Sequence, residues 1–149
     1  MIDIETINKM WEEDSRIDDN QLDKATIDSS KLHAKYLQLF STVRLQLKKR
    51  ELELTVLKQD KWKYFTGKMS KPEMDSRSWK YDPFDGCNKP MKSELDNYID
   101  SDSDIQKIVI KIEYLKIVAS TLEEILNNLK WRHSAIKNIL DWRKFTSGM

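Results

Sequence analysis

A mostly apolar residue recurs at alternating intervals of three and four along the C-terminal part of the chain: Ile105, Ile108, Ile112, Leu115, Ala119, Leu122, Leu126, Leu129, His133, Ile136, Leu140 and Arg143. That alternation places one residue per turn on a single face of an α-helix, whereas side chains on a strand alternate with a period of two. It predicts roughly 40 residues of helix with coiled-coil character, about 60 Å long. The Ser101–Asp104 run supplies its N-terminal cap, and Gly148 lies just past its end. The stretch is not a membrane span. Lys107, Lys111, Glu113, Lys116, Glu123 and Glu124 interrupt it, and a span needs about 20 mostly apolar residues.

A second long helix is expected to begin near Asp28, Ser29 or Ser30 and to run to a glycine cap at Gly67. Tyr36, Phe40, Val43, Leu47, Leu54, Leu57 and Tyr64 form its seam, with Arg50 and Lys61 at the polar seam positions. Leu32, Leu39, Leu45, Leu52 and Val56 widen the stripe. A short helix over residues 3–14 precedes it, capped by Asp3, and the acidic run up to Asp23 reads as a solvated connector. Residues 68–103 contain all three prolines and the turn Asp82-Pro83-Phe84-Asp85-Gly86, so they read as a long connection. A short helix is expected there over residues 91–99. With only 3 glycines and 3 prolines in 149 residues, the shortage of turn-formers argues against a sheet-rich fold. The expectation is an all-α single domain: an acidic segment 1–28, a basic helix 29–67, a partly ordered connection 68–103 and a heptad helix 104–146. The two long helices have similar lengths, and an antiparallel hairpin is their simplest arrangement.

The formal net charge is +1, but it is segregated. Residues 1–30 carry a net −6, residues 31–71 a net +8, residues 72–104 a net −5 and the remainder +4. A basic excess concentrated in one helix points to a polyanionic partner. Lys48, Lys49, Arg50, Lys58, Lys61, Lys63 and Lys68 are the candidate phosphate contacts, and Trp62 and Tyr64 the candidate base-stacking residues. Interleaved lysines and aromatics suit single-stranded nucleic acid, since ammonium groups meet phosphates while aromatic faces meet bases. The competing reading is a solvated basic face beside core aromatics. Trp79, Tyr81 and Phe84, in the connection, are open to either role, with packing the safer.

Other chemistry finds little support. Asp100, Asp102 and Asp104 begin like a calcium loop, but Ile105 stands where glycine belongs and Lys111 where the closing glutamate belongs. Helix capping explains the run. His33 and His133 have no companions at ligand spacing, and the lone Cys87 excludes an intramolecular disulfide. No phosphate-binding glycine loop, nucleophile motif or paired catalytic carboxylates are present, so no enzyme, cofactor or metal is expected. The opening residues Met1-Ile-Asp-Ile-Glu-Thr lack the basic and apolar blocks of a secretory signal.

Three segments in order resemble the T-even-type phage recombination mediators of the UvsY family. They are Ile27-Asp-Ser-Ser-Lys-Leu32, Leu57-Lys-Gln-Asp-Lys-Trp-Lys-Tyr-Phe-Thr-Gly-Lys68, and Ala135-Ile-Lys-Asn-Ile-Leu-Asp-Trp-Arg-Lys-Phe145 ending at Gly148. The resemblance covers residues 25–148. It implies a mediator that binds single-stranded DNA, displaces single-strand-binding protein and loads a RecA-like recombinase in the cytoplasm of an infected bacterium. It also implies a ring-like homo-oligomer of about six or seven subunits, held through the C-terminal part. Leu122, Leu126, Leu129, His133, Ile136, Leu140, Trp142 and Phe145 are the candidate contacts between subunits. The family's DNA motif has a Lys and an Arg two residues apart; Lys61 matches the Arg, whereas Gln59 stands at the Lys position with Lys58 beside it. Two other readings of the chain are a coiled-coil scaffold with no nucleic-acid role and a nucleoid-like protein preferring duplex DNA.

Overall fold

The computed structural model describes residues 2–148, and every regular element among them is an α-helix: α1 Ile4–Asp14, α2 Leu22–Phe65, α3 Lys71–Arg77, α4 Lys92–Asp100 and α5 Ser103–Thr146. The residues divide into two compact units, one combining the chain up to Gln46 with the chain from Leu115 onward, the other formed by Leu47–Tyr114. The division falls within α2 and α5, so each is described in two parts.

In the first unit, α1 begins as its sequence signals indicate, with the Asp3 side chain accepting from the Glu5 N–H. Ile7 is fully buried, and Trp11 meets Tyr36 edge-to-face with ring centres 5.6 Å apart. Arg132, 118 residues further along the chain, holds the end of α1. Its guanidinium donates to the carbonyl oxygens of Asp14 at 2.9 Å and Arg16 at 3.0 Å. A cation at a helix C-terminus offsets the negative end of the helix dipole and satisfies its free carbonyls. The Asp14 carboxylate accepts from Lys35 at 2.7 Å and from the Tyr36 hydroxyl at 2.8 Å. Burial pushes the Asp14 carboxyl up, but hydrogen bonds from Lys35 and Tyr36, with the charges of Lys35 and Arg132, bring it below the usual range. Burial and the Asp14 bond push the Tyr36 hydroxyl well up.

Two expectations for this unit are corrected. Helix α2 starts at Leu22 rather than near Ser29. The Ser29 hydroxyl donates back to the Ala25 carbonyl at 2.8 Å, so it sits inside the helix and not at a cap. Leu22 and Ala25 pack with Ile136, and that burial draws the first turns into the helix. On α5, Leu115, Leu122, Leu129 and Ile136 are buried as expected, but the intervening seam residues shift by one position. Val118, Ile125 and Arg132 are buried, whereas Ala119 and Leu126 are half-buried and His133 is exposed. Both stripes alternate three and four residues and share Leu115, Leu122, Leu129 and Ile136; tertiary packing selects the preceding neighbour between them, as where Arg132 reaches the end of α1. Leu140 and Arg143 are exposed, and Arg143 reaches Asp19 at 3.4 Å.

The second unit has its core at Leu57, Tyr64, Phe65, Met69, Met74, Leu95, Ile99 and Ile105, with Leu54, Trp62, Trp79, Phe84 and Ile108 packed against it. Of the expected α2 seam, Leu57, Lys61 and Tyr64 are buried here and Leu47, Arg50 and Leu54 half-buried, whereas Leu52 and Val56, read as widening it, are exposed. Helix α2 ends where its glycine directs. Gly67 has φ 74°, its N–H donates to the Tyr64 carbonyl at 3.3 Å, and the Lys68 N–H donates to the Lys63 carbonyl at 2.8 Å. This pair of bonds is a Schellman cap. Helix α3 was not anticipated, yet its signature is present. Ser70 and Glu73 form a reciprocal capping box with a proline in the first turn. Helix α4 falls where residues 91–99 were expected to be helical. Asp102 then caps α5, its carboxylate accepting from the N–H groups of Asp104 at 3.0 Å and Ile105 at 3.2 Å.

Candidate nucleic-acid interface

The basic end of α2 separates into two populations of lysine. Lys61 is buried, 3% exposed. Its ammonium lies 3.0 Å from Asp102 and 3.1 Å from Asp104, and 3.9 Å from the centre of the Trp79 ring. A lysine occupies a core position of α2 because its stem packs like an aliphatic chain while two carboxylates and an aromatic face compensate the charge. The Lys61 bond holds the Asp104 carboxyl below the usual range against the opposing effect of burial.

Tyr64 is buried beside it, with ring centres 5.4 Å from Phe65 and 5.0 Å from Trp79. Burial, followed by the charges of Asp102, Asp82 and Asp85, pushes its hydroxyl up. Of the aromatics in the connection, Trp79 and Phe84 pack on this core and Tyr81 is exposed.

The remaining candidates stay near solvent. Lys48, Lys49, Lys58 and Lys68 are exposed, and Arg50 and Lys63 are half-buried. Arg50 pairs with Glu53 at 2.8 Å, and Lys58 stands 4.0 Å from Asp100. No ion pair is formed by Lys48, Lys49, Lys63 or Lys68 among the described residues. Trp62 is half-buried and carries the Lys68 ammonium 4.3 Å from its ring centre. The structure therefore groups Lys63, Lys68 and Trp62 at the outer end of α2, sets Lys48 and Lys49 further back along it, and withdraws Lys61 and Tyr64 into the core. The i, i+3, i+4 spacing of Lys58, Lys61 and Trp62 does not produce one exposed face.

The residues expected to join subunits divide similarly. Leu122, Leu129 and Ile136 are buried within the protomer, and Leu126 is half-buried. His133, Leu140, Trp142 and Phe145 are exposed, with Trp142 and Phe145 stacked at 5.8 Å. Among the described residues no group of three or more His, Cys, Asp or Glu side chains is placed to hold a metal, and no helix is long and apolar enough to cross a membrane.

An all-helical chain with one charge-segregated long helix, and with four candidate lysines on it or just past its end that stand outside any ion pair among the described residues, has the architecture of a small helical polyanion-binding protein. The family profile of the recombination, repair and ssDNA binding protein UvsY matches residues 10–149. The chain belongs to the UvsY family. It is 23% identical over 145 residues to the recombination protein uvsY of Enterobacteria phage T4, covering 97% of this chain and 98% of that protein. Crystal structures of the bacteriophage T4 recombination mediator protein UvsY share the fold. One superimposes with a TM-score of 0.84 at 22% identity over 99% of both chains. Another gives 0.81 at 20% identity over 97% of this chain and 99% of that one.

Proposed function

We propose that this protein is a recombination mediator that binds single-stranded DNA and loads a RecA-like recombinase onto strands covered by single-strand-binding protein, in the cytoplasm of an infected bacterium. The observation that carries the binding step is the set of unpaired lysines Lys48, Lys49 and Lys63 on α2 and Lys68 just past its end, with Trp62, in a chain of the UvsY family. The lysines neutralise phosphates, and Trp62 offers a base its ring where Lys68 turns from it to a phosphate. The protomer pairs its two long helices antiparallel and assembles into a ring-like homo-oligomer. The exposed Trp142 and Phe145 supply the apolar contact between subunits, together with His133 and Leu140. Assembly multiplies weak contacts, because each later one forms at high effective concentration.

The test is binding to single- and double-stranded DNA across a salt series, with light scattering for mass. Four phosphate contacts per subunit give a slope of about −2.8 in log K against log salt, at −0.7 per contact. Preference for duplex would favour a nucleoid-like role. Absence of single-strand binding at low salt would sink the mediator reading and leave a helical scaffold, for which the exposed Trp142–Phe145 stack is the favouring feature.

A further inference from the structure

The outer end of α2 does not carry its basic surface alone. A Cβ added at Gly67 would sit 2.5 Å from the Lys89 Nζ, so the bare face of this glycine is where the Lys89 ammonium lies. The next residue along is Lys68, whose ammonium covers Trp62. Three residues further, Lys71 opens α3 and places its ammonium 5.6 Å from the centre of the Tyr81 ring. The Cα atoms of Lys68 and Lys71 are therefore at most about 11 Å apart. Three ammonium groups and two aromatic rings, drawn from α2, α3 and the segments flanking α3, gather at the α2–α3 junction.

Their neighbours show which charges are free. Arg77 pairs with Asp60, and Lys80 stands 3.9 Å from Asp85. No ion pair is formed by Lys68, Lys71 or Lys89 among the described residues. The C-terminal carbonyls of α2 offset part of the resulting repulsion, and an anion bound there would relieve more of it. Tyr81 is 56% exposed, and its hydroxyl donates to Asp75 at 2.7 Å. That bond fixes the ring at the surface, while its companions Trp79 and Phe84 are spent on the core.

Resting on the single-strand-binding reading above, we propose that Lys71, Tyr81 and Lys89 form a second part of the nucleic-acid surface, carried by the connection. Lys71 and Lys89 neutralise phosphates, and Tyr81 stacks on a base. A ring platform of this kind needs a free base face, which a single strand offers and a duplex hides in its stack.

The experiment measures binding of the full chain to fluorescein-labelled oligothymidylate by anisotropy across a salt series. A Lys71→Gln, Lys89→Gln double variant is expected to flatten the slope by about 1.4 per subunit, 0.7 for each lost contact. Tyr81→Ala is expected to weaken binding at least about fivefold, whereas Tyr81→Phe, which keeps the ring, binds like the parent. Circular dichroism melting confirms that these exposed replacements leave the fold intact. A Lys63→Gln, Lys68→Gln variant serves as the control on α2. If the control flattens the slope while the double variant and Tyr81→Ala match the parent, the connection surface is refuted and the α2 surface stands. If the parent itself fails to bind at low salt, the single-strand-binding reading falls, and this surface with it.

Discussion

Replacing Lys61 by alanine separates a structural lysine from a DNA-contacting one. In the folded protein its ammonium is shared between Asp102 at 3.0 Å and Asp104 at 3.1 Å, and it is capped by Trp79 at 3.9 Å. Removing one partner from a fully buried pair costs about 3–5 kcal/mol, because the remaining charge loses its compensation. Here the Asp102 side chain is 14% and the Asp104 side chain 41% exposed, so water recovers part of that loss. The expected cost is about 2–3 kcal/mol. For a chain of this size that lowers the melting temperature by about 5–10 °C. Urea unfolding followed by far-UV circular dichroism, at matched protein concentration because assembly adds stability, reads the change. Lys61→Met keeps most of the stem packing and still leaves the two carboxylates without their cation, so it should fall between the parent and the alanine variant. The salt slope of DNA binding should be the same for all three. Unchanged stability in Lys61→Ala, with the slope flattened by about 0.7 per subunit, would refute this reasoning and place Lys61 on the DNA.

Acidification acts through Asp14 and Asp104, whose carboxyls are held below the usual range in the fold. The unfolded chain therefore takes up these protons first. Their contribution is complete above the ordinary carboxylate value of about 3.9 and is lost as pH falls through their lower folded values. Urea midpoints measured between pH 6 and pH 2 should show a loss that is smaller in an Asp14→Asn, Asp104→Asn variant. Arg132→Met should destabilise the protein by about 2–3 kcal/mol, since it leaves the carbonyls of Asp14 and Arg16 without their charged donor. Hydrogen exchange should then rise first in α1, and uniform exchange along the chain would contradict this role. Gly67→Ala should cost at least about 1 kcal/mol through its left-handed backbone alone, and thermal melting checks it. Trp142→Ala with Phe145→Ala should lower the mass measured by light scattering and leave the helix content unchanged; an unaltered mass would place the subunit contact elsewhere.

The local elements were largely readable from residue order. The three-four spacing on α5, the uninterrupted run of α2 to Gly67 and the capping role of Asp102 follow from interactions within a few residues, which sequence encodes directly. Even the missed α3 carries its signal, since Ser70-Lys71-Pro72-Glu73 is a capping box with a proline in the first turn. Charge segregation was equally legible, and it pointed to the basic end of α2.

Tertiary structure decided which of two adjacent stripes is buried, because neighbouring helix positions differ by only 100° and both satisfy an amphipathic pattern. That choice buried Arg132 and exposed His133, since only Arg132 reaches the end of α1. It likewise turned Lys61 from the centre of a basic motif into a core ion pair, through carboxylates on the far side of the connection. Residue order by itself determined that this protein is helical and where its positive charge is concentrated. Which lysines remain free for a polyanion was settled only when distant acids folded against some of them and not others, because charge compensation depends on distance in space rather than along the chain.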